Sequence, residues 1–130
     1  MFKRFIPFVC ASVFLASCLL VGLNESEPSL SGIWGGGHIS VDLRATSATV
    51  EYDCAHGTID EAIVLGDNGT FDVTGTHVFE HGGPIREDEV PDVHPARYEG
   101  VVRGSNMTLT ITLTDTVAVL GAFLLERGKA

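Results

Sequence analysis

Met107-Thr108-Leu109-Thr110-Ile111-Thr112-Leu113-Thr114 alternates four apolar side chains with four threonines. In an extended chain successive side chains point to opposite faces, so this stretch reads as a half-buried strand with Met107, Leu109, Ile111 and Leu113 inward. Threonine and isoleucine suit a pleated surface. Turn residues bound it on both sides, Gly104-Ser105-Asn106 before and Asp115-Thr116 after. Beyond those turns the alternation resumes. Upstream, Ala96 to Arg103 sets Tyr98 and Val102 against Arg97, Glu99 and Arg103, and downstream Val117 to Arg127 forms a last strand with a glycine at 121.

The same rhythm extends toward the N-terminus. Ala48, Val50, Tyr52 and Cys54 share one face, with Thr49, Glu51 and Asp53 on the other. His56-Gly57 turns the chain. Thr58 to Leu65 follows, with Ile59, Ile63 and Leu65 on one face and Glu61 as the awkward member. Gly66-Asp67-Asn68-Gly69 carries hairpin signals, and Phe71, Val73 and Gly75 open a strand that runs toward Val78 or Phe79. The segment from His81 to Pro95 holds three prolines, a Gly-Gly pair and the acidic run Glu87-Asp88-Glu89, and reads as the one long loop. No stretch has the 3.6-residue period of a helix. The expected fold is all-β: a small antiparallel up-and-down barrel of about eight strands, with a sandwich as the alternative, because closure removes exposed edges.

The first 23 residues differ in composition. Lys3 and Arg4 precede an apolar run from Phe5 to Leu23, the pattern of an export signal. Within it, Leu15-Ala16-Ser17-Cys18 resembles the lipobox of bacterial lipoproteins, and that resemblance implies lipidation of Cys18. An uncleaved anchor and a cleaved, unlipidated signal peptide are the other two readings. All three place the following residues outside the cytoplasm, in the bacterial cell envelope. The expected organisation is 1–23 signal peptide or membrane anchor, 24–30 polar tether and 31–130 barrel domain.

The net charge is -9, and -11 once Lys3 and Arg4 leave with a leader. A surface that acidic repels polyanions, so nucleic acid is excluded as a partner. Of three cysteines, Cys10, Cys18 and Cys54, the last alone lies in the barrel domain, which rules out an internal disulfide there.

Gly32-Ile33-Trp34 resembles the G-x-W start of the lipocalin and calycin barrels. That resemblance implies that Trp34 on the first strand packs against an arginine on the last, here Arg127, at the closed end. The chain departs from lipocalins in having no helix before its last strands and no disulfide pair. The domain also resembles a group of bacterial exported proteins built around W-G-G-x-H and D-C-A-H-G-T-I-D segments, which implies export and a barrel and carries no activity with it. If Trp34 faces inward together with Ile39, a strand from 33 to 43 must slip by one residue. Gly35-Gly36-Gly37 then predicts a β-bulge or kink.

Two short motifs raise catalytic readings. His77-Val78-Phe79-Glu80-His81 spells the inverted zinc-protease signature, which needs a helix to bring both histidines to one metal. On a strand, His77 and His81 would stand about 13 Å apart with Glu80 facing away. Cys54 and His56 form a candidate thiol pair without a visible third group; an inward cysteine is more often a small core residue. His38 and His94 add possible ligands without a spacing pattern. The expectation is therefore no metal, no cofactor and no catalytic residue, with an enzyme as the last of three readings. The first is a small apolar ligand held in the barrel, which requires a cavity of at least about 300 Å³. The second is a filled barrel acting on a protein partner. In both, the N-terminal lipid or anchor joins the chain to a membrane.

Overall fold

The computed structural model describes residues 30–130. The export segment, Cys18 and most of the tether lie outside the described residues. Eight strands follow in order: β1 (Gly32–Gly36), β2 (Ile39–Leu43), β3 (Ala48–Tyr52), β4 (Ala55–Ile59), β5 (Thr70–Phe79), β6 (Asp92–Arg103), β7 (Asn106–Leu113) and β8 (Ala118–Arg127). Each pairs antiparallel with the next, and β8 returns to β1 to close an up-and-down barrel. The all-β expectation and its barrel form hold.

The Met107–Thr114 alternation is realised as β7, with Met107, Leu109, Ile111 and Leu113 buried. Its neighbours supply Ala96, Tyr98 and Val102 from β6 and Leu125 from β8. From the other side come Trp34, Ile39, Val41 and Leu43, then Ala48 and Val50, so that one cluster fills the interior. Burying each of the larger side chains among them contributes about 1.5–3 kcal/mol.

The barrel has two poles. The base carries the start of β1, the end of β8 and the connections 44–47, 60–69 and 104–105. The mouth carries the connections 37–38, 53–54, 80–91 and 114–117.

Several expectations need correction. The stretch 31–43 is not one bulged strand. Gly36 pairs with Ile39, so Gly37 and His38 form a two-residue turn, with His38 in the left-handed region at φ 64°. Residues directly opposite in a hairpin share a face, so reversal puts Trp34 opposite Val41 and both point inward. The glycines serve a second purpose. A Cβ on Gly35 would collide with the Lys129 carbonyl, and one on Gly36 with the Leu124 carbonyl of β8. Their bare backbone lets the last strand and the chain after it approach the first.

Second, Thr58–Leu65 is not a strand. β4 covers Ala55–Ile59 and ends after Asp60 donates to the Thr74 carbonyl at 3.2 Å. The chain then leaves the sheet, and Ile63 and Leu65 pack against the core from below. Their alternation marks a plug. Asp67–Gly69 is a 3₁₀ turn with Asn68 at φ 63°, and it does not join two directly paired strand ends.

Third, Cys54 is not inward. β3 ends at Tyr52, and the turn falls at 53–54, where Cys54 is an exposed free thiol, and not at His56-Gly57, which lie in β4 and pair with β3. Fourth, β6 begins at Asp92 and not at Ala96, so the long loop is 80–91. In addition, β8 opens one residue later than Val117, and its pairing with β7 slips between Ile111 and Thr112, where Leu120 is the extra residue.

Candidate functional site

All five histidines stand at the mouth, and four of them are tied to carboxylates. His38 meets Asp53 at 2.5 Å, linking the β1–β2 and β3–β4 turns. His56, outward on β4, meets Glu80 of the long loop at 2.7 Å. His81 contacts Glu89 within that loop through Nε2, and its Nδ1–H donates to the Gly82 carbonyl at 3.0 Å. His94 places Nδ1 2.6 Å from Asp115 and Nε2 2.9 Å from Asp92. A ring with carboxylates at both nitrogens is favoured as the imidazolium, which donates twice. The bond to Asp115 is the main cause that raises the His94 pKa, and the Asp115 carboxyl is correspondingly lowered. For His81 the bond to the Gly82 carbonyl leads and Glu89 follows, again upward.

His77 is different. It belongs to the inward row of β5 and is 2% exposed. Both its ring nitrogens are buried without a hydrogen-bond partner among the described residues, and the Tyr52 hydroxyl, though beside that of Tyr98, meets no partner in hydrogen-bonding geometry. Burial first, then the charge of His94, lowers the His77 pKa below the ordinary 6.5 and holds the ring neutral. Burial also pushes the Tyr52 phenol above its ordinary range, with Tyr98 as the next cause. Aromatic edges surround the pair. His77 lies 5.2 Å from Tyr52 and 4.6 Å from Phe79, and Tyr52 lies 6.0 Å from Phe123. Phe79 in turn stands 5.5 Å from His94 at the rim. The Tyr98 hydroxyl donates to the Thr76 carbonyl at 2.6 Å, and it occupies the space a Cβ on Gly57 would need.

At the base, Trp34 is fully buried and its Nε1 donates to the Leu30 carbonyl at 2.9 Å. Trp34 and Arg127 pair across β1 and β8, and the guanidinium carbon stands 5.4 Å from the ring centroid. Arg127 also donates to the Ser31 carbonyl at 3.4 Å. A cation over an indole face contributes about 0.5–2 kcal/mol.

The catalytic candidates stand in different settings. Cys54 sits in its exposed turn, while His56 is bonded to Glu80. His77 points into the barrel, and His81 has left the strand for the loop. Among the described residues no group of three or more His, Cys, Asp or Glu is placed to hold a metal ion.

Three hollows open on the surface. One of about 800 Å³ lies at the base, with Leu30, Leu43, Ile63 and Leu65 in its wall. Another of about 520 Å³ runs along the β5–β6–β7 wall, and one of about 400 Å³ lies in the mouth loop by His81 and Glu89. None of the three is lined by the mid-barrel residues Val41, Val50, Val73, Tyr98 or Leu109.

These features define the class: a closed, antiparallel eight-stranded barrel, consistent with a lipocalin-like fold. Beyond that class, the chain matches no family model, no curated protein and no solved structure.

In the sequence His77 stands out only as half of a metal motif, although the parity of Phe71, Val73 and Gly75 places it inward. The His94 bridge joins residues 21 apart in sequence, and no local pattern marks it.

Proposed function

We propose that this chain is a filled barrel of the bacterial cell envelope, joined to a membrane through its N-terminal segment, that acts through its surface on another protein. The packing of the interior carries this reading. Trp34, Tyr98, Ile59, Met107, Leu109, Ile111 and Leu125 are among the large side chains buried to below 2% exposure. They come from β1, β4, β6, β7 and β8, Val41 of β2 and Val50 of β3 are buried as deeply, and an eight-stranded barrel is narrow enough for side chains to fill. The hollows of ligand-binding size lie outside that packing.

The test is a photo-crosslinking side chain placed at Val93 or Val119 near the mouth, in the full chain in intact cells. Discrete adducts are expected from mouth positions. Their absence from every position tried around the barrel overturns the reading. Mass spectrometry of the membrane-extracted chain tests the attachment: an acylated Cys18 as the first residue supports the lipid, and an intact Met1 refutes it.

One observation favours a second reading. An unpaired buried polar atom costs about 1–3 kcal/mol, and Tyr52 and His77 together hold three. A small uncharged ligand with a hydrogen-bonding group, seated among Tyr52, His77 and Phe123, would satisfy them. Saturable binding of N-phenyl-1-naphthylamine that weakens in Tyr52→Phe would favour this reading over the first.

A further inference from the structure

We infer that the mouth is the docking face and that its partner is a cationic polypeptide carrying apolar side chains; this rests on the surface-acting reading above. Large apolar side chains exposed on the described residues are distributed unevenly. Phe79, Ile85, Val90, Val93, Val117 and Val119 belong to the mouth strands and loops, with exposures from 40% to 86%. Ile33, Val64 and Leu124 are the remaining three, spread over the base and wall. Single exposed apolar residues are ordinary, whereas a concentration at one pole marks an interaction surface.

Charge selects the partner. To the carboxylates that face histidines, the long loop adds the exposed Glu87 and Asp88, and Arg86 is its only arginine or lysine. At the base, by contrast, Arg44, Arg103, Arg127 and Lys129 offset Asp42, Asp60, Glu61, Asp67 and Glu126. An acidic, apolar pole repels nucleic acid, anionic lipid and a second copy of itself, and attracts cations. The apolar side chains add what a bare counter-ion cannot use. They sit on two connections, 80–91 and 114–117, and the strands beside them, and His94 bridges these through Asp92 and Asp115. That bridge spares a partner part of the ordering cost of docking. Position agrees as well: Leu30 leads into β1 at the base, so the mouth is the pole away from the first described residues.

The experiment measures fluorescence anisotropy of three labelled peptides against the full chain in lipid nanodiscs. One is an amphipathic lysine/leucine peptide, one the same peptide with serine for leucine, and one with glutamate for lysine. The lysine/leucine peptide is expected to bind saturably, and the other two at least about ten-fold more weakly. The triple variant Val93→Ser/Val117→Ser/Val119→Ser and the loop pair Glu87→Lys/Asp88→Lys should each weaken binding about ten-fold, with Val64→Ser at the base unchanged. The loop pair keeps the test valid if the triple variant does not fold. Equal binding of the serine peptide, or an equal loss in Val64→Ser, overturns the inference. So does preferential binding of the loop pair's parent to anionic vesicles. If crosslinks form at the mouth in cells while the lysine/leucine peptide fails to bind, the partner chemistry is wrong and the surface-acting reading stands.

Discussion

The two poles of this barrel solve opposite problems. The base is held by apolar packing: Trp34 is buried under the Arg127 guanidinium, and Ile63 and Leu65 pack against the core beside the hollow that opens there. The mouth is held by polar pairs between loops, and directly beneath them it buries His77 and Tyr52 with three unpaired polar atoms. Packing is insensitive to pH over the neutral range, and histidine pairs are not. Stability is therefore concentrated at the base, and response to the surroundings at the mouth.

The sharpest way to break this contrast is Trp34→Ala. Removing a fully buried indole should cost about 3–5 kcal/mol, read as a lower midpoint in urea unfolding. A cost no greater than that of Phe79→Ala, which removes a 40% exposed ring, would end the distinction. Next, Gly36→Ala drives a Cβ toward the Leu124 carbonyl, and a loss of about 1–3 kcal/mol is expected from forced backbone shifts. Gly37→Ala is the control, because nothing lies within 4 Å of a Cβ there. Third, Tyr52→Phe removes one orphaned hydroxyl and should raise stability by about 1 kcal/mol. A loss of similar size would show that the hydroxyl has a partner in solution.

The smallest effect is the titration of the histidines, followed through their ring protons by NMR. His77 should titrate below the ordinary 6.5, and His81 and His94 above it. The linkage signs are opposite. For His77 the unfolded chain binds the proton more readily, so acidification through 6.5 weakens the fold. For His81 and His94 the folded chain binds it more readily. Their contribution is complete below 6.5 and is lost as pH rises through their folded values. The sole tryptophan lies at the other pole, so Trp34 emission should stay constant while the mouth titrates between pH 8 and 5.

Much of the barrel was legible because alternation is a local property. Met107–Leu113 and Phe71–Val73 reveal their buried face within a few residues. The errors fall where one local pattern admits two tertiary outcomes. Ile63 and Leu65 alternate as a strand does, yet they fold under the base, because pairing of β4 with β5 ends near Asp60. A one-residue slip can be met by a bulge or by a reversal, and Gly35-Gly36-Gly37 is compatible with both. Reversal is the outcome, since two glycines are needed for the approach of β8 and of the residues that follow it. The mouth was less legible still. Its pairs join residues brought together by closure, such as His56 with Glu80, 24 positions apart.

Closure also has a consequence for how the chain is made. Seven of the eight seams join strands adjacent in sequence and can zip as they emerge. The eighth joins Trp34 and Gly35 to Arg127 and Glu126, and Arg127 reaches back to Ser31 across 96 positions. Closing a loop of that length costs entropy before any contact rewards it. Until β8 is made, the chain is an open ribbon with two free edges and an unroofed tryptophan. The last strand, rather than any earlier one, turns that ribbon into a ring.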